Sequence, residues 1–122
     1  MSRKEEKDIM CSQATLSQIS DRVVQAARES LGNKLDKVIL YGSYARGDYD
    51  DESDIDIMVL ANIPLENRGS EREKIRDILG YIDLEHDVVL CLNVTDCETF
   101  NKYTEDLPFY INVLKDGVVL SA

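Results

Sequence analysis

The sequence predicts an α/β domain, a small sheet with helices packed against it. Two observations carry that expectation. Short runs of β-branched and aliphatic residues at 37–41, 54–60 and 86–94 alternate with stretches whose apolar residues recur every three or four positions. Only a dozen residues separate the first two of those runs, too few for a helical crossover, so a hairpin-like link is expected between them. The order is then helix, strand, strand, helix, strand, helix, helix.

Taken along the chain, residues 1–12 are polar and are expected to be flexible. Leu16, Ile19, Val23, Ala26 or Ala27, and Leu31 then form one face of a scaffold helix over 15–31. Thr15 with Gln18 reads as its capping box and Gly32-Asn33 as its stop. The first strand, 37–41, ends at Gly42-Ser43. A helical turn over 44–46 closes at Gly47, and a loop over 48–53 leads into the second strand at 54–60.

Pro64 and Gly69 mark 61–69 as a connection. Ser70 to Glu73 reads as a capping box for a helix carrying Ile75, Ile78, Leu79 and Ile82, ending near Asp83. The third strand is expected over 86–94, where β-branched residues cluster. Thr95 to Glu98 is a further capping box, opening a short helix to about Tyr103. Pro108 suits the first position of a last helix striped by Phe109, Tyr110, Val113 and Leu114 and stopped by Gly117. Residues 118–120 are left for a short terminal strand or a packed tail.

The 122 residues suffice for one core and not two, so 1–122 is read as a single domain. A formal net charge of -10 opposes binding to nucleic acid, whose affinity comes from Lys and Arg against phosphates. A small nucleotide carrying its own cation suits such a chain better than a duplex. The cysteines, Cys11, Cys91 and Cys97, are odd in number and form no Cys-x-x-Cys pair, which points to a reducing, cytoplasmic compartment. The N-terminus is too charged for a signal peptide, and no apolar run is long enough to span a membrane.

The stretch from Leu40 to Ile57 concentrates the chemistry. A strand has a side-chain period of two, so Asp54 and Asp56 share a face while Ile55, Ile57 and Val59 take the other. Two carboxylates side by side repel, and a divalent metal is the natural occupant between them. Gly42 at a strand end allows close approach of a ligand, and Ser43 opens a helical turn whose amides and hydroxyl suit a phosphate. Ten residues separate Ser43 from Asp54, and the combination is far more specific than either part.

Gly42-Ser43, ten residues, then Asp54-Ile-Asp56 resembles the signature of the DNA polymerase beta-like nucleotidyltransferase superfamily. The fuller run from Gly42 to Gly47, with Ser53-Asp-Ile-Asp56, is similar to its minimal single-domain branch, the MNT proteins. The resemblance implies a mixed β-sheet flanked by helices. It also implies a magnesium-bound nucleoside triphosphate, with ATP expected, and transfer of a nucleoside monophosphate to a hydroxyl with release of pyrophosphate.

Carried onto this chain, the resemblance makes Asp54 and Asp56 the bridge between two magnesium ions. Gly42 and Ser43 would hold the β/γ phosphates, and Arg46 is a candidate triphosphate contact, with a surface or cap role equally open. The family's third carboxylate sits on a strand after the long helix, and Asp87 matches that place. Asp83 and Glu85 are rivals that read better as solvated linker residues. His86 is expected at the edge of the core, Cys91 as a small buried hydrophobe, and Tyr41, Tyr44 and Tyr49 as packing residues.

Little chain follows Asp87, so the acceptor must be presented by another protein, by a second copy of this chain, or in a shallow site. The MNT resemblance implies a HEPN-type toxin as the protein acceptor, with this chain as its antitoxin. Two other readings stay open. One is transfer to a small molecule of antibiotic type; the other is an antitoxin that masks its partner without catalysis.

Overall fold

Alternation along Ile55–Ala61 sets the architecture. Ile55, Ile57 and Val59 are fully buried on one face, and Met58 and Leu60 are buried on the other. A strand covered on both sides needs helices on both sides. The computed structural model, which describes residues 13–121, supplies them. Cys11 and the expected flexible segment 1–12 lie outside the described residues.

Helix α1 spans Gln13–Leu31, β1 Leu35–Tyr41, α2 Ser43–Arg46 and β2 Ile55–Ala61. Then come α3 (Arg68–Leu79), α4 (Ile82–His86), β3 (Leu90–Asp96), α5 (Cys97–Tyr103), α6 (Pro108–Asp116) and β4 (Val118–Ser121). Among the described residues the sheet has four strands in the order β3-β2-β1-β4. β1 pairs antiparallel with both β2 and β4, whereas β2 and β3 are parallel. The sheet is therefore mixed, with the hairpin-like first link and the helical crossover from β2 to β3 that the strand spacing requires.

One face packs under α1 and α3, where Ile19, Val23, Ile75 and Leu79 meet Ile55, Ile57 and Val59. Each such side chain contributes about 1.5–3 kcal/mol on burial. The opposite face is shorter: Ile39, Met58 and Leu60 are covered by Phe100 of α5 and Val113 of α6. That cover stops before Asp56, which is half-buried. The uncovered end of this face is where the acidic pair sits.

Several expected boundaries move. α1 is already under way at Gln13, so Thr15 lies inside it and not at its cap. A 3-10 turn, Leu65–Asn67, runs straight into α3 at Arg68, which puts Ser70 inside the helix. Its hydroxyl donates back to the Asn67 carbonyl at 3.1 Å, the usual fate of a serine within a helix. The N-cap of α5 is Asp96, whose carboxylate accepts from the Thr99 amide at 2.9 Å, one residue later than expected.

The largest correction concerns the link into β3. The long helix stops at Leu79 because Gly80 takes φ 63, and a separate short helix, α4, follows. His86 is its last residue. Asp87 is its C-cap, with φ 53 in the left-handed region that Asp tolerates better than most side chains. Neither lies on β3. The pin is Arg76: its guanidinium donates to Asp83 at 2.7 Å and to the Leu90 carbonyl at 2.7 Å, while Asp83 accepts from the Leu90 amide at 2.8 Å. Asp83, expected to be solvated, is thus a structural tie between α3, α4 and the start of β3.

Candidate active site

Gly42 leaves β1 with φ 76 and ψ -156, a conformation open to glycine and costly for other residues. A Cβ added there would collide with the Asp56 carboxylate. The turn and the carboxylate are therefore in direct contact across the β1–β2 pair, in which Tyr41 stands opposite Asp56. Helix α2 follows at once. The amides of Ala45 and Arg46 both donate to the Gly42 carbonyl at 3.1 Å, and Gly47, with φ 85, closes the turn.

The loop back to β2 is built from its own side chains. Tyr44 and Tyr49 stack with ring centroids 4.3 Å apart. Asp50 accepts from the Glu52 amide at 2.9 Å, and its own amide donates to Ser53 Oγ at 2.9 Å. These local bonds deliver the chain to Asp54, which is exposed immediately before β2 begins. The Asp-x-x-Ser spacing is a signal for this turn that the motif itself overshadows.

Asp56 lies between Tyr41 on β1 and Cys91 on β3. Burial raises its carboxyl above the usual carboxylate range, and repulsion from Asp54 adds to the rise; a hydrogen bond from Cys91 and the field of Arg46 oppose it. Tyr41 is pushed up to about 12, by burial first and then by Asp56 and Cys91, with a hydrogen bond to Asn93 acting the other way. Tyr41 also meets Phe109 of α6 edge to face at 5.7 Å, so it forms a wall between the site and the core. Arg46 is exposed and paired with Asp48 at 3.1 Å, a partner it can exchange cheaply for an incoming anion.

Cys91 was expected as a buried hydrophobe. Instead it is half-buried on the open face, its sulfur donating to Asp54 Oδ2 at 3.5 Å. Period two along β3 could have found it, since Leu90, Leu92 and Val94 are buried and must turn Cys91 the other way. Burial raises its thiol, and the hydrogen bond to Asp54 and the nearby carboxylate charges raise it further. Gly42 thus meets Asp56, with Ser43 next to it at the start of α2 and Asp54 just before β2, whereas Asp87 is exposed at the end of α4 and not on the strand beside them.

The donor chemistry fits a hard divalent ion in part. Asp54 and Asp56 offer carboxylate oxygens, the hard donors such an ion takes. The expected trio of carboxylates does not fit. Among the described residues, no group of three His, Cys, Asp or Glu side chains is placed to hold a metal.

The chain is similar in sequence and in fold to known proteins. The family model of the Nucleotidyltransferase domain matches residues 20–120. A Methanocaldococcus jannaschii protein named "Putative protein adenylyltransferase" is 36% identical over 97 residues, covering 80% of this chain and 89% of that one. A second protein of the same name and organism is 46% identical over 61 residues, covering 49% of this chain and 59% of its own.

Among solved structures, a crystal structure of a "putative nucleotidyltransferase" from Sulfolobus solfataricus aligns with TM-score 0.54 at 23% identity, covering 87% of this chain and 78% of that one. A chain of a crystal structure of a toxin-antitoxin with AMP-PNP aligns with TM-score 0.50 at 22% identity, covering 83% and 71%. At such identities these two likenesses speak for the fold alone. The family match, by contrast, runs from the first helix to the last strand, and this chain belongs to the nucleotidyltransferase domain family.

Proposed function

We propose that this chain transfers AMP from ATP, with a divalent cation, to a hydroxyl of a partner protein. The observation that carries the reading is the contact between Gly42 and the Asp56 carboxylate, which ties a turn suited to phosphates to an acidic pair suited to a cation. The adenylyltransferase names of the M. jannaschii relatives support the choice of donor and acceptor class.

In the reaction, the acceptor hydroxyl gives its proton to solvent, its oxygen bonds to the α-phosphorus, the bond from that phosphorus to the β-bridging oxygen breaks, and pyrophosphate leaves. Asp54 and Asp56 would hold the cation, expected to be magnesium. A divalent ion bound there supplies Lewis acidity, which neutralises charge on the leaving pyrophosphate and acidifies the acceptor hydroxyl. Gly42 and Ser43 orient the terminal phosphates, and Arg46 exchanges Asp48 for them. Tyr41 closes the floor of the site against α6 and keeps Asp56 partly desolvated, which strengthens its pull on a cation.

The acceptor is proposed to be a HEPN-type toxin, with this chain as its antitoxin. Support comes from the MNT-like run Gly42 to Gly47 and from the fold shared with a chain of a toxin-antitoxin structure. Incubation of the full chain with labelled ATP, magnesium and a cognate HEPN-type toxin should label the toxin. Asp54→Asn and Asp56→Asn should abolish the label. No label on the toxin from a wild-type chain that binds ATP would overturn the reading.

A further inference from the structure

The parallel register of β2 and β3 sets Asp56 opposite Cys91 and Met58 opposite Asn93. The buried neighbours Leu90 and Leu92 leave Cys91 and Asn93 as the β3 side chains on the Asp56 face at this end. β3 therefore presents a thiol and an amide to the site, and no carboxylate. The thiol is not idle: it donates to Asp54 at 3.5 Å. A protonated thiol in that position acts toward the two carboxylates as a donor, not as a rival anion.

We propose that, among the described residues, this site holds its divalent ion through two carboxylates, Asp54 and Asp56, with the Cys91 thiol in the third place, so that the ion is retained only together with the nucleotide's phosphates. The inference rests on the nucleotidyl-transfer reading above. Its physical basis is ligand count and charge. Magnesium and manganese take about six oxygen ligands and keep water readily, so two carboxylates give a weak protein site that substrate phosphates complete. A third carboxylate would add negative charge at contact distance and let an ion bind before the nucleotide. A thiol offers hard cations little, since sulfur favours softer metals. Cys91 is in this sense a residue that determines metal affinity and the order of binding.

The test is manganese binding to the full chain, read by the loss of the free-ion electron paramagnetic resonance signal, with and without a non-hydrolysable ATP analogue. Wild type is expected to bind manganese weakly alone, while the chain retains the manganese–analogue complex. Cys91→Asp should bind manganese alone roughly tenfold or more tightly than wild type, and Cys91→Ser should match wild type. Circular dichroism checks that each variant is folded.

Cobalt(II) provides a readout that needs no stable variant. Wild type is expected to show no sulfur-to-cobalt charge-transfer band with cobalt alone or with the analogue. A band that Cys91→Ser removes would make the thiol a ligand and overturn the proposal. So would tight manganese binding to the nucleotide-free wild type, or no gain in a folded Cys91→Asp chain. Failure of wild type to bind the analogue with any of these ions would overturn the transfer reading itself, and this inference with it. That pattern is distinct from normal nucleotide binding with the wrong metal behaviour.

Discussion

Gly42 and Asp56 share one volume: the space a side chain at 42 would need is filled by the Asp56 carboxylate. The glycine is required twice, by its φ of 76 and by this contact. Gly42→Ala should therefore displace the carboxylate and strain the turn together. We expect transfer activity to fall about a hundredfold or more, as for an ångström-scale misplacement of a catalytic group. Stability should fall by about 1–3 kcal/mol, from the left-handed backbone alone. Steady-state kinetics and urea denaturation measure the two.

Asp56 is expected to trade stability for activity. Its folded carboxyl lies above its unfolded value, so the folded state binds the proton more tightly and is favoured at low pH. That advantage disappears as pH rises through the folded pKa, leaving a charged, crowded carboxylate. Metal-free Asp56→Asn should thus melt slightly higher than wild type at neutral pH, and the difference should shrink in acid. Activity should be lost at every pH. A lower melting temperature for the variant at pH 7 would contradict the electrostatic account.

The opposite sign holds for Asp83. Burial pushes its carboxyl up, but the Arg76 hydrogen bond and the Leu90 amide outweigh burial and hold it below the usual range. Its stabilisation is present above the unfolded carboxylate pKa and is lost as pH falls through the lower folded value. Asp83→Asn should cost about 1.5–3 kcal/mol at pH 7, the range for hydrogen bonds to charged groups. The difference from wild type should narrow below about pH 4. Denaturant curves across the acid range provide the check, and nucleotide binding by the folded variant should be unchanged.

Arg46 is paired with Asp48 at the surface. Arg46→Ala is expected to leave the melting temperature where it is and to raise KM for ATP several-fold with little change in kcat, because a contact to the triphosphate is made before and during transfer alike. Arg46→Lys should recover part of the loss. An unchanged KM would assign the arginine to the loop surface alone.

Local chemistry explains why much of this was legible. The break at Gly42-Ser43, the closing Gly47, the pair Asp54 and Asp56 on one side of β2, and the bounds of α6 at Pro108 and Gly117 each depend on neighbours a few residues away. The β3 boundary was not legible. His86, Asp87, Val88 and Val89 read as the opening of a strand, but Arg76 and Asp83 bind Leu90, His86 and Asp87 go to α4 and its cap, and Val88 and Val89 are left in the link. A contact made from the far side of a helix outweighs local propensity there.

By itself, then, the sequence determined a helix-flanked sheet, the turn at Gly42 and a two-carboxylate face, because side-chain period and backbone sterics are properties of short segments. Which β3 residue faces Asp56 was decided only by the tertiary structure. Register between parallel strands depends on how the crossover helices pack, and a slip of one residue would exchange Cys91 for a buried leucine. That pairing moved the place beside the acids from Asp87 to Cys91.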